Sequence, residues 1–167
     1  MNHARWQVAS FNELSAERLY ALLRLRAEVF VVEQACAFLD LDGLDTEPDT
    51  LHLMGFDQHG ELARYARLLG PQGCGGGNGE VAIGRVVCAR AARGNGQGHG
   101  LIARAMEEMA ERWPGRVIKL SAQAHLQGFY AGHGFVVEGE TYLEDGIPHV
   151  EMRRPPSGGA PVRVNTP

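Results

Sequence analysis

The chain has 167 residues, 44% of them hydrophobic, which is the size of one domain around one buried core. Its formal net charge is −4, and this argues against non-specific nucleic-acid binding, which runs on an excess of Lys and Arg. No apolar run approaches the roughly 18 residues that a membrane helix needs, and the first residues hold no apolar signal segment.

The expectation is therefore a soluble, cytoplasmic protein with no membrane partner. Cys36, Cys74 and Cys88 are widely spaced and form neither a disulfide framework nor a CxxC pair, which predicts reduced thiols and no metal. Lys119 is the only lysine, so lysine-dependent chemistry has one position to use.

In chain order, Trp6–Ala9 reads as a first strand. Ser15 is placed to cap the helix that follows, with Glu17 in its first turn. Leu19, Leu22, Leu23, Ala27 and Phe30 recur at helical spacing and form its predicted buried stripe. The acidic stretch Asp40–Asp45 is assigned to a loop. Leu51–Phe56 and Leu62–Leu69 flank Asp57-Gln58-His59-Gly60 and predict a hairpin. Six glycines in Gly70–Gly79 mark a flexible loop tip.

Val81–Cys88 is apolar and β-branched except at Gly84 and Arg85, as a buried strand would be. The clearest period follows, with Leu101, Ile102, Ala105, Met106, Met109, Ala110 and Trp113 on one helix face, stopped by Pro114-Gly115. Val117–Ser121 predicts a strand, Leu126–His133 a short helix, and Phe135–Val137 and Ile147–Met152 two last strands. Residues 1–154 thus form the expected domain. Residues 155–167, with four prolines and two glycines, form an expected disordered tail. The element order predicts an α/β fold of the α+β type, with a central mixed sheet flanked by helices. The 81–88 and 117–121 strands, joined through one helix, form a right-handed parallel unit.

Arg93-Gly94-Asn95-Gly96-Gln97-Gly98-His99 lies between the buried strand and the most regular helix. Glycines there let successive N–H groups converge, and the helix N-terminus adds partial positive charge, so a pyrophosphate is the expected guest. The loop is not a Rossmann fingerprint, because His99 or Leu101 stands where the last glycine is needed. It is not a Walker loop either, because no Gly-Lys-Ser/Thr occurs.

The loop matches R/Q-x-x-G-x-G/A and resembles the acetyl-CoA loop of the GNAT N-acetyltransferase superfamily. Val86-Val87-Cys88 resembles the strand that pairs with the pantetheine arm, and Phe129-Tyr130-Ala131-Gly132-His133-Gly134-Phe135 resembles that superfamily's FYxxxGF motif. Phe30–Gln34, Asp42-Gly43, Ser121–Gln127 and Glu144–His149 resemble its ElaA-type branch, so that the likeness spans roughly Leu14–Arg153. Two departures are Gln123, where many members carry Asn, and the glycine-rich 70–79 insertion.

The resemblance implies a single GNAT-like domain whose splayed parallel strands form an acyl-CoA cleft. Acetyl-CoA would be the co-substrate and an amine the acceptor, either a small molecule or a protein amino group, in a monomer or homodimer. It implies that Val86, Val87, Cys88, Arg93, Gly94, Asn95, Gly96, Gln97, Gly98, His99 and Gln123 bind the cofactor, and that Tyr130 protonates the departing thiolate. A strand N–H near Val87 or Cys88 would polarise the carbonyl.

Glu33, His52, His125 and His149 are the candidates for the base, beside a water chain, with Glu33 and His125 favoured. Glu33, Asp42, His52 and His149 are the candidate acceptor contacts. The carboxylates of Val31–Asp49 are read either as a site for a cationic amine or as a solvated loop.

Two other functions compete. One is a non-catalytic acyl-CoA sensor. The other is a phosphohydrolase, because Asp40-Leu41-Asp42-Gly43 resembles the DxDG motif of haloacid-dehalogenase-type phosphatases. That chemistry needs its first Asp at the end of a core strand, and Cys36–Leu39 is a poor strand.

Overall fold

The computed structural model describes residues 5–74 and 79–156. The strands are β1 (Arg5–Ser10), β2 (Thr50–Phe56), β3 (Leu62–Leu69), β4 (Val81–Cys88), β5 (Ile118–Gln123), β6 (Val136–Glu144) and β7 (Ile147–Arg154). The helices are α1 (Ala16–Arg26), α2 (Gln97–Arg112) and α3 (Gln127–Ala131). All seven strands join one mixed sheet in the order β1-β2-β3-β4-β5-β7-β6. The expected glycine-rich tip and tail fall partly at 75–78 and 157–167, outside the described residues.

The Ser15 hydroxyl accepts the Arg18 N–H at 3.1 Å and starts α1. The helix then widens into a π-helical turn over Ala27–Glu33. The buried face differs from the predicted stripe, and Ala27 is exposed. Leu22 and Leu25 sink fully into a cluster with Met54, Phe56, Tyr65 and Val87, while Leu19, Leu23 and Phe30 pack at its margin. Helix α2 covers the other face with the predicted Leu101, Ile102, Ala105 and Met109, set against Leu53, Leu68, Val81 and Ile83. Each large side chain so buried stabilises the fold by about 1.5–3 kcal/mol. With helices on both faces, β2 is buried throughout and β3 nearly so. Their polar residues must therefore find partners inside the protein.

β4 and β5 are parallel neighbours, as expected, but pair only at Val81↔Ile118 and Ala82↔Lys119. Beyond that point the register of β3 with β4 shifts between Tyr65 and Arg67, opposite Arg85, whose φ of +52° lies in the left-handed region. This is the signature of a β-bulge, which bends its strand. The strands part here and leave a gap at the carboxyl end of β4.

The last hairpin is longer than the sequence suggested. β6 and β7 pair out to Glu144↔Ile147. They turn through Asp145 (φ +49°) and Gly146 (φ +78°), the two positive-φ residues a tight two-residue hairpin needs. β6 is exposed along its whole length and forms one edge of the sheet.

Candidate active site

The loop before α2 takes three successive left-handed residues, Gly94 (φ +86°), Asn95 (φ +53°) and Gly96 (φ +73°). Glycine adopts this conformation without a Cβ clash, and asparagine is among the few residues that tolerate it. Gly96 is the N-cap of α2 and offers no side-chain cap. The Gln97 N–H turns back to the Gly94 carbonyl at 3.3 Å, which leaves those of Gly98 and His99 for water or a ligand. Gly98 faces α3, where an added Cβ would stand 3.3 Å from the Phe129 ring. The two segments singled out by motif therefore meet. Phe129 packs on His99 at 4.6 Å between ring centroids, and its edge contacts Tyr130 at 5.0 Å.

Tyr130 is 6% exposed. Burial, with the Cys88 thiol adding to it, pushes its phenol up to about 12. The hydroxyl thus carries its proton at neutral pH. Burial also raises the Cys88 thiol, which makes it a poor nucleophile and favours packing over covalent chemistry.

The Ala89 N–H bonds the Ala63 carbonyl on the β3 side. Alternation along the strand then turns the Cys88 N–H and C=O toward the gap. The Arg93 Nε donates to that Cys88 carbonyl at 3.2 Å. The rest of the Arg93 guanidinium grips Glu33 through two bonds of 2.5 and 2.6 Å. This grip is the main reason why the Glu33 carboxyl lies below the usual carboxylate range. A carboxylate so held is a weak base, and the guanidinium that pairs with it offsets its charge.

A groove of about 370 Å³ opens beside Glu33, between the π-helical turn and the segment after β4. Leu25, Val29, Val32 and Ala89 line it, with Glu28, Glu33 and Arg90 also in its wall. Gln123 reaches across the cleft end and donates to Gln34 at 3.3 Å. His125 is exposed in the turn after β5. The half-buried His149 pairs with Gln123 in register, donates through Nδ1 to the Ile147 carbonyl at 2.7 Å, and holds Nε2 3.4 Å from Glu144.

Two expected acceptor contacts need correction. His52 is fully buried, and both ring nitrogens are used: Tyr65 donates to Nδ1 at 2.7 Å, and Nε2 donates to the Asp45 carbonyl at 3.0 Å. Burial is the chief cause of its lowered pKa, so it sits in the core as a neutral ring and reaches neither acceptor nor proton. Asp42 is held by both Arg67 nitrogens at 2.8 Å and by the Leu44 N–H at 3.0 Å, with Arg85 at 3.3 Å.

Within the acidic stretch Asp40 and Asp45 are thus buried, and Asp42, although partly exposed, is already paired with arginine and not free for a cationic acceptor. Arg26 meets Asp40 at 2.8 Å and Asp45 at 2.6 Å, and Arg85 meets Asp40 at 2.7 Å. Three carboxylates and three arginines neutralise one another and fix Arg85, the bulge residue. The hydrolase reading falls with them, because Asp40 is buried between cations and no strand precedes it. Arg26, Arg67 and Arg85 escaped the sequence reading. The signal was there: arginines inside apolar runs require counter-charges, and the nearby carboxylates are the ready source.

A bulged, splayed β4/β5 pair, an uncapped helix start and a protonated tyrosine at its side define an acyl-CoA acyltransferase. Residues 44–155 match the family model "Acetyltransferase (GNAT) domain". The chain belongs to the GNAT superfamily, in its ElaA-type branch. It is 44% identical to protein ElaA of Escherichia coli over 149 residues, 89% of this chain and 95% of that one. The crystal structure of an acyl-CoA N-acyltransferase from Pseudomonas aeruginosa superposes with a TM-score of 0.85 at 49% identity, over 91% of this chain and 99% of that one. The crystal structure of Escherichia coli ElaA gives 0.82 at 42% identity, with the same coverage.

Proposed function

We propose that the protein moves an acetyl group from acetyl-CoA to an amine by direct attack on the thioester. The observation that carries this reading is the uncapped, glycine-lined start of α2 opening beside Tyr130 at the mouth of the β4/β5 gap. In this reading the backbone of Gly94–His99 takes the pyrophosphate and Val86–Cys88 the pantetheine arm. The Cys88 N–H then lies along the cleft to polarise the carbonyl. The amine nitrogen bonds to the carbonyl carbon, the C–S bond breaks, and Tyr130 gives its proton to the leaving sulfur.

Glu33 forms part of the wall of the acceptor groove and is not the base, because Arg93 keeps it ionised and pairs with its charge. The surplus proton of the acceptor passes to His125, to His149 or to water. The groove beside Glu33 suits a small amine or a protein amino group with an apolar neighbour. We place the working unit, a monomer or homodimer, in the cytoplasm, with 1–154 as its domain.

The test is calorimetry with acetyl-CoA, followed by a CoA-release screen of polyamines, amino acids, aminoglycosides and N-terminal peptides. Binding and turnover with cationic amines are expected. No binding at millimolar acetyl-CoA would end the reading. Binding without turnover across the panel would favour a sensor.

A further inference from the structure

Among the described residues three arginines are buried: Arg26, Arg64 and Arg67. Arg26 and Arg67 are matched to carboxylates. Arg64 is 6% exposed and meets no carboxylate among the described residues, and its buried Nε has no hydrogen-bond acceptor. Its guanidinium lies instead over the Trp6 ring, 4.3 Å from the centroid. An arginine keeps its charge even when burial lowers its pKa, so this is a buried cation without a counter-ion. Such a group is costly to keep.

Its position suggests what would complete it. Trp6, Gly55, Arg64 and Cys88 form one row across β1 to β4, at the end of the sheet where α2 begins. Gly55 gives the pair its room: a Cβ there would come within 2.7 Å of Trp6 and 3.1 Å of the Arg64 Nε. The Arg64 Nη1 lies against the first turn of α2, 3.7 Å from where a Cβ on Gly100 would stand. A cation beside the positive end of a helix dipole is repelled by it. Two positive potentials thus adjoin with no carboxylate between them, and an anion satisfies both.

We propose that Arg64, steered by Trp6, is a phosphate-binding residue of the acyl-CoA site, adding side-chain charge to the backbone N–H groups of α2. This rests on the reading of the Gly94–His99 loop given above. Its consequence is selectivity for the donor's phosphates. A CoA thioester gains from the charge, and a pantetheine thioester, which has no phosphate, does not.

The experiment uses the full chain with Arg64→Gln, and Arg64→Met where the first variant unfolds. Thermal unfolding without ligand checks that each variant is folded. Calorimetry with CoA and with inorganic pyrophosphate is expected to show roughly ten- to hundredfold weaker binding, the loss of one charge-assisted hydrogen bond or more. The KM for acetyl-CoA should rise by a similar factor at little change in kcat, while kcat/KM for acetyl-pantetheine stays put. Arg64→Lys should recover part of the loss. Wild-type affinity for CoA and pyrophosphate in a folded variant would overturn the proposal, as would an equal loss for both thioesters. A wild-type protein that binds pyrophosphate but not CoA, and loses pyrophosphate on Arg64→Gln, would keep the anion site and remove the acyl-CoA reading instead.

Discussion

Tyr130 owes its position to neighbours that leave its ring little freedom. Phe129 and Phe135 both meet it edge to face, at 5.0 and 6.1 Å between centroids. Burial keeps the hydroxyl protonated. Tyr130→Phe keeps the ring and its packing and removes only the hydroxyl. It is expected to lower kcat by about 10²–10⁴-fold, the usual share of a general acid, while calorimetric affinity for acetyl-CoA stays unchanged. Steady-state rates at the wild-type level would show that another group protonates the sulfur. The loop glycines stood out in the sequence because few other residues adopt their φ angles, and Tyr130 because it lies within a recognisable aromatic–glycine motif. His52 and Asp42 did not. A histidine or aspartate looks the same in a sequence whether it faces solvent or an arginine, and only the fold brings Tyr65 to the one and Arg67 to the other.

The elements meet through the segment between α1 and β2. From that segment Asp40, Asp42 and Asp45 reach Arg26 on α1, Arg67 on β3 and Arg85 on β4. This ties a helix and two strands together at the point where β4 bulges. Removing one member of a buried ion network leaves the others uncompensated. Arg26→Ala is therefore expected to cost about 3–5 kcal/mol in urea unfolding. A loss below about 1 kcal/mol would mean that the carboxylates find water instead. Most elements could be placed from period and turn residues, because Val81–Cys88 and the Leu101–Trp113 face repeat so regularly. The bulge could not, since it depends on Arg85 bonding to a loop some 40 residues earlier. The length of β6 was hidden too, because its nine exposed residues carry no alternating pattern.

For the whole molecule, these buried charges make stability depend on pH. Burial pulls upward on the Asp42 carboxyl. The Arg67 hydrogen bonds, the Leu44 N–H and the charges of Arg67 and Arg85 outweigh it and hold it down to about 2. Burial opposes Asp45 in the same way, and Arg26 and Arg67 prevail there as well. In the unfolded chain these groups protonate near pH ~4. Their stabilisation is therefore complete above that value and is lost as pH falls through the folded-state value. His52 acts higher. Folded, it resists a proton that the unfolded chain accepts below about pH 6.5, so its contribution also fades on acidification. The urea midpoint should decline from about pH 7 to about pH 3, gently at first and then steeply. A midpoint that held steady or rose across that range would contradict the network.

The short ladder between β4 and β5 has one more consequence. After two residue pairs the sheet is left with an unfinished seam, while β4 remains anchored to β3 on its other side. A molecule that fits such a seam must behave as a strand: extended, narrow, and offering amide groups along one edge. The fold therefore screens its ligands by backbone-like shape along the seam before any reactive end is tested, and selectivity for the donor begins as a problem in β-pairing.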